Sequence, residues 1–286
     1  MTRSFIGRID YKSRKDIIPI ALFSDLHLEA KDSDEKRLRE DLAYEHERGS
    51  RMLFNGDLFD CILPTDRKRY SSGRDVSAND AKLNESEDLA FDILAPYVND
   101  IDYIGIGNHE ISVLKYHHYD IIMGLASRLN AIRDKSLAPI FRGGYQGYIQ
   151  YRFYDNHKAV ARFTYTIFHH HGVGGPAPST KGMLDFNRVI TSHIADLYWL
   201  GHKHTGITDP YVMRDRLNQK GNVVVERCHA VFTAGYKMPH KIENYEDGYI
   251  IDYSDTFYNM QAQGYVQLNL KLNGKESRVD AETISK

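Results

Sequence analysis

Five short runs of metal-capable residues, each placed directly after an apolar stretch, constrain this chain more than any other feature. They are Asp25-Leu-His27, Gly56-Asp57, Gly107-Asn108-His109-Glu110, His169-His-His-Gly172 and Gly201-His-Lys-His204. The preceding stretches, among them Ile17–Phe23, the apolar run from Arg51, Ile101–Ile106 and Leu197–Leu200, are short, and their composition predicts buried strands. Leu38, Leu42 and Ala43 on one face predict a half-exposed helix over 33–48 with Asp32 as its N-cap. Leu89, Phe91, Ile93 and Leu94 predict another, and a third is expected over 112–132. Strands alternating with helices, with chemistry at the strand ends, predict an α/β sheet that builds its site along the carboxyl edge.

From Ile140 to Phe168 the texture changes to alternating β-branched and aromatic residues broken by Gly143-Gly144, Gly147 and Asp155-Asn156, which predicts antiparallel strands of a second sheet. Residues 183–195 read as helix. Hairpin texture runs from Tyr211 to Leu272, with strands at Asn222–Val225 and Tyr265–Leu270. No internal repeat and no clear linker interrupts the 286 residues, so a single domain is expected, with a β-rich C-terminal extension over 207–286. The longest breaker-rich stretch, 63–87, is expected to be a solvated insertion or, through Arg67, Lys68 and Arg69, a basic lid over an anionic substrate.

Bulk properties exclude little but fix the class. At 42% hydrophobic and 27% charged residues the chain matches ordinary water-soluble globular proteins. A net charge of −2 attracts no polyanion by itself, so nucleic-acid binding would need a local basic patch. Two cysteines, Cys61 and Cys228, are too few for a disulfide framework or a thiolate-rich cluster and read as free thiols in a reducing compartment. Residues 1–15 are polar and basic, and Ile17–Phe23 is too short for a membrane span, so a cytoplasmic protein with no membrane partner is expected.

In an extended strand, residues two apart share a side, so Asp25 with His27 and His202 with His204 are expected to present paired ligand atoms. Carboxylate, imidazole and amide donors suit borderline divalent ions, manganese first, then iron, zinc, cobalt or nickel. One such ion needs three or four protein ligands. The set offers about seven, with Asp57 placed to bridge, which fits two ions better than one.

The ordered series D-x-H, G-D, G-N-H-E, H-x-G or H-G, and G-H-x-H resembles the calcineurin-like metallophosphoesterase family. It covers about two thirds of the chain, from Asp25 to His204, and leaves the last eighty or so residues without a matching motif. The resemblance implies a four-layer αββα sandwich, two mixed β-sheets flanked by helices. It implies one metal on Asp25, His27 and His204, a second on Asn108, His202 and one histidine of 169–171, and Asp57 between them. His169, His170 and His171 stand where one ligand histidine is expected. Strand alternation sets His170 opposite the other two, and we favour His170 with His171 close behind. His109 is implied to be no ligand; it lies over the substrate phosphate as proton donor or transition-state stabiliser. The implied activity is hydrolysis of a phosphate ester, with a phosphodiesterase or nuclease favoured and nucleic acid a candidate substrate, a phosphomonoesterase second, and a non-catalytic scaffold third.

The other readings are plainer. His46, His157, His193, His229 and His240 are expected to be surface or satisfied core residues, and His117-His118 a helix feature. Glu29, Asp60 and Glu110 follow motifs closely and read equally as ligand-orienting or solvated carboxylates. His109-Glu-Ile-Ser-Val113 lacks the second histidine of H-E-x-x-H metalloproteases, and no G-x-S-x-G elbow is present.

Overall fold

The computed structural model describes residues 3–30, 32–61, 79–155, 158–174, 183–206, 212–217, 221–237, 263–273 and 278–286. The run Ile17–Phe23 forms β2, followed by α1 (Glu35–Glu47), β3 (Arg51–Phe54), α2 (Asn79–Leu94), β4 (Ile101–Ile104), α3 (Asn108–His117), α4 (Ile121–Ile132) and β5 (Phe141–Arg142). β11 (Val266–Asn273) and β12 (Arg278–Ser285) complete this sheet in the order β12-β11-β2-β3-β4-β5. β2, β3, β4 and β5 are mutually parallel, so the first three end on one edge, where the first three motifs begin.

The second sheet contains β1 (Arg3–Tyr11), β6 (Gln146–Asp155), β7 (Phe163–His170), β8 (Leu197–Leu200), β9 (Val212–Leu217) and β10 (Val223–Phe232), in the order β1-β6-β7-β8-β10-β9. β7, β8 and β10 run parallel, whereas β6 and β9 are antiparallel to their neighbours β7 and β10. The last helix, α5, spans Met183–Ser192.

Period-two alternation sorts each strand between layers. Ile20, Leu22, Leu53 and Tyr103 of one sheet meet Ile149, Tyr151, Tyr165, Ile167, Trp199 and Val231 of the other in a buried inter-sheet core. The intervening Ala21, Phe23, Met52, Phe54 and Ile104 face outward onto Leu38, Leu42, Ile93, Val113 and Leu125 of α1–α4. On the far side Phe168, Tyr198 and Phe232 pack against Phe186 and Val189 of α5. The result is an α/β sandwich of two mixed six-stranded sheets between two helical layers, as expected.

Three local expectations need correction, and one strand was not anticipated. α1 is capped by Asp34, whose side chain accepts from Arg37 N, rather than by Asp32. The helix expected over 112–132 is two helices: His118 turns left-handed (φ 54°) to end α3, and Asp120 caps α4 by accepting from Met123 N. The stretch 63–87 is not all loop, because α2 begins at Asn79; residues 62–78, including Arg67, Lys68 and Arg69, lie outside the described residues. The polar start holds β1, whose Phe5 and Tyr11 are buried while Ser4, Ile6, Arg8 and Asp10 are exposed or partly so. This one-sided alternation, too weakly apolar to stand out, pairs β1 in parallel with β6.

Phe54 is fully buried and stacks on Phe23 at 5.2 Å between centroids, one turn of chain before Asp57. Phe54→Ala is expected to lower the unfolding free energy by about 3–5 kcal/mol, measured by denaturant titration. A loss below about 1 kcal/mol would mean that this core is loosely packed.

Candidate metal centre

The functional side chains leave their strands through unusual backbone. Asp25 and His27 follow β2, Asp57 follows β3, Asn108 and His109 open α3, His171 follows β7, and His202 and His204 follow β8. Asp25, His27, Asp57, His202 and His204 all have positive φ, at 56°, 47°, 49°, 71° and 49°. Such conformations cost roughly 1–3 kcal/mol each for non-glycine residues and persist only where surrounding structure holds them. Here a ladder holds them: Asp25 N donates to Gly56 O (3.0 Å), His27 N to Asp57 O (3.1 Å) and Leu28 N to Leu58 O (3.0 Å). The paired ligands therefore converge through left-handed turns, not through the strand alternation expected from sequence.

Two glycines make room. Gly56 sits at φ +82°, and a Cβ at Gly107 would lie 2.1 Å from Asp57 Oδ1 and 2.5 Å from Asp57 N. The glycines of G-D and G-N-H-E thus let α3 start against the Asp57 carboxylate, where His109 N donates to Oδ1 at 3.0 Å.

Three groupings of donor atoms, each within 4.8 Å of one another, have the spacing of metal-ligand sets: Asp25, His27 and His204; Asp57, His171 and His202; and His27, Asp57 and His109. Asp57 Oδ2 links them, lying 3.1 Å from His171 Nε2, 4.0 Å from His27 Nε2 and 3.9 Å from His109 Nε2. Asp25 Oδ1 lies 3.5 Å from His204 Nε2 and 3.9 Å from His171 Nε2. Asn108 Oδ1 is 3.2 Å from His171 Nε2.

Four of the imidazoles are aimed by their other nitrogen. His171 Nδ1 donates to Asn55 O at 2.7 Å, His27 Nδ1 to Asp60 Oδ1 at 3.0 Å, and His109 Nδ1 to the Asp60 carbonyl. His202 Nε2 donates to Gly174 O at 3.0 Å, which leaves Nδ1 as its lone-pair atom. Fixing one ring nitrogen to an acceptor sets the tautomer and raises the basicity of the other.

Charge tells the same story. Burial would lower the His171 imidazole, but Asp57 beside it lifts it to about 10. Burial would raise the Asp57 carboxyl, yet His171 holds it well below the usual carboxylate range. Burial, then the Lys237 charge, pushes His27 down to about 4. Two buried carboxylates and an amide oxygen thus converge with imidazole nitrogens, and the carboxylates draw positive charge to their centre, here the His171 proton. Such carboxylate, imidazole and amide donors can hold metal ions, and the residues brought together for that are Asp25, His27, Asp57, Asn108, His171, His202 and His204.

His170, favoured from the sequence, lies outside these groupings. β7 alternation buries His169 and His171 completely and turns His170 outward, where its Nδ1 accepts from Gly172 N at 2.9 Å and its ring packs edge-on to Tyr145. His169 is structural: Nε2 meets Tyr103 Oη at 2.5 Å and Nδ1 meets Asn55 Oδ1 at 2.8 Å.

Several supporting residues were undecided or unseen in the sequence. Glu110 is buried, not solvated: it accepts from Gly107 N (2.7 Å), Asp57 N (3.0 Å) and Phe59 N (3.1 Å), and burial next to Asp57 pushes its carboxyl up to about 7. Asp60 serves two histidines at once. The segment 233–237, within the motif-free C-terminal part, wraps the D-x-H turn: Thr233 Oγ1 meets Ser24 Oγ, Tyr236 N donates to Asp25 O at 3.0 Å, and Lys237 Nζ pairs with Asp60 Oδ1 at 3.0 Å. Its only sequence signal was a glycine beside hydroxyl and aromatic residues at the end of an apolar run.

Two substitutions separate the neighbouring histidines. His171→Ala is expected to lower metal content, whereas His170→Ala leaves it unchanged. Metal analysis of purified protein checks this, and equal losses in both variants would contradict the assignment.

No protein-family profile and no curated protein matches the chain. Solved structures similar to it include GAP50, the anchor in the inner membrane complex of Plasmodium, at 11% identity and a TM-score of 0.43 over 94% of this chain and 84% of that one. A conserved Streptococcus pneumoniae protein described as a predicted phosphoesterase matches at 11% identity and 0.34, over 95% and 99%. Zinc-complexed Vps29 of Entamoeba histolytica matches at 10% identity and 0.35, over 94% and 99%. Likeness of this degree leaves the chemistry to be argued from the chain's own residues.

Proposed function

We propose that this chain is a metal-dependent hydrolase of phosphate esters. The observation that carries the reading is that Asp57 Oδ2 faces both His27 Nε2 and His171 Nε2, at 4.0 and 3.1 Å, so a single carboxylate joins two ligand sets. Divalent ions bound there would polarise phosphoryl oxygens and bring a water to a pKa near neutrality.

The chain's own residues supply positioning and proton handling. Asp60 O fixes the His109 ring through Nδ1, which leaves Nε2 as the atom turned toward Asp57 and the shared centre. A protonated Nε2 at that place can donate to a leaving alkoxide, a poor leaving group without a proton. Asn108, the preceding residue on the same helix turn, places its amide oxygen beside His171, so α3 delivers a ligand and a proton donor together. Glu110 locks this turn to the Asp57 loop through its three backbone N–H partners.

Within the class, a phosphodiesterase or nuclease is our first reading, supported by Gly201-His-Lys-His204 and the glycine-rich run Gly172-Val-Gly-Gly175. Hydrolysis of bis(p-nitrophenyl) phosphate with added Mn²⁺ tests the activity, and single-stranded DNA, duplex DNA, RNA, cyclic nucleotides and phosphoproteins sort the substrate. Folded, metal-loaded protein that releases no product from any of these would favour the scaffold reading.

His109→Ala is expected to lower kcat by at least about a hundredfold while both ions stay bound; loss of metal would instead make His109 a ligand. Asp57→Asn is expected to weaken both ion sites at once, and retention of the full metal count would refute the shared carboxylate.

A further inference from the structure

We infer that Lys237 is a substrate-binding residue whose ammonium receives the phosphate oxygens of the ester at the mouth of the metal centre. This rests on the phosphoester reading but concerns a residue outside every motif.

Exposure differs among the site groups. Asp25, His171, Asp57 and His27 are 0–3% exposed at their side chains and form the floor. His109, His204 and Asp60 are each 13% exposed, and Lys237 is 27% exposed. Asn108 and His202 are partly exposed as well, and Lys237 is the lysine at this partly open rim, more exposed than the carboxylates of the floor.

Lys237 is held there by its backbone rather than by chance of a long side chain. Tyr236 N is bonded to Asp25 O, Asp34 N donates to Tyr236 O at 2.8 Å, and Lys237 forms an isolated antiparallel bridge with Ser33. Among the described residues it is the one lysine or arginine paired with a carboxylate that also holds a site histidine. An ammonium has three N–H donors; Asp60 takes one, and the Asp32 carboxylate also acts on the charge. Asp60 links it to the site: the same Oδ1 lies 3.0 Å from Lys237 Nζ and 3.0 Å from His27 Nδ1.

The chemistry predicts a substrate-dependent signature. A fixed positive charge attracts a dianion about twice as strongly as a monoanion at the same distance. Removing it should weaken a phosphomonoester dianion more than a phosphodiester monoanion, whichever ester the protein prefers. A lysine that merely tied loops together would affect both alike, through kcat and metal content.

The test uses the metal-loaded full chain, with Lys237→Gln and Lys237→Arg as variants. Lys237→Gln is expected to raise KM about tenfold for p-nitrophenyl phosphate and about threefold for bis(p-nitrophenyl) phosphate, with kcat and metal content near wild type. Lys237→Arg should restore most of both. Calorimetric titration with inorganic phosphate, independent of turnover, should show about tenfold weaker binding to Lys237→Gln. Unchanged phosphate affinity, or equal losses for the two substrates accompanied by metal loss, overturns the assignment. If wild type binds phosphate but hydrolyses neither substrate, the hydrolase reading fails, and the calorimetric comparison still decides the role of Lys237.

Discussion

The Asp57 carboxylate is 2% exposed, and its Oδ2 faces imidazoles from two different strand ends at 3.1 and 4.0 Å. Burying such a charge is costly unless positive partners surround it. Much of the architecture answers that demand. β2, β3 and β4 end side by side in one sheet, β7 and β8 end side by side in the other, and the sandwich brings these ends together over Asp57. Glu110 fastens the loop from beneath, and Gly107 leaves the space that the carboxylate fills.

The strained backbone has the same origin. Five residues of the candidate site adopt left-handed φ, a conformation that would relax if the turns were free. They are held by hydrogen bonds between neighbouring turns, by Asp25 accepting from His202 N at 3.0 Å, and by the 233–237 segment packed over Asp25. Rigid placement suits a centre whose ligands must sit at set distances before a cation arrives. It also explains why the motifs are short: each needs only enough residues to leave a strand, turn left-handed and present one or two donors.

Much of this was legible in the sequence because strand ends and donor residues coincide. β2 runs over Ile17–Phe23 as its β-branched composition predicts, and the donors of all five motifs lie around one centre. What escaped was what depends on three dimensions. The choice between His170 and His171 turns on which face of β7 points inward, and sequence spacing cannot say which. Asp60 and Glu110 read equally as ligand-orienting or solvated carboxylates until their backbone and imidazole partners were in view. β1 and the 233–237 segment carry too little local signal; their places are set by partners about 140 and 210 residues away.

The central claim is that one buried carboxylate joins two cations. Anomalous diffraction from crystals of the Mn²⁺-loaded protein tests it most directly. The account predicts two peaks about 3.5–4 Å apart on either side of Asp57 Oδ2, one contacted by Asp25, His27 and His204 and the other by Asn108, His171 and His202. A single peak, or two peaks that do not share Asp57, would contradict it.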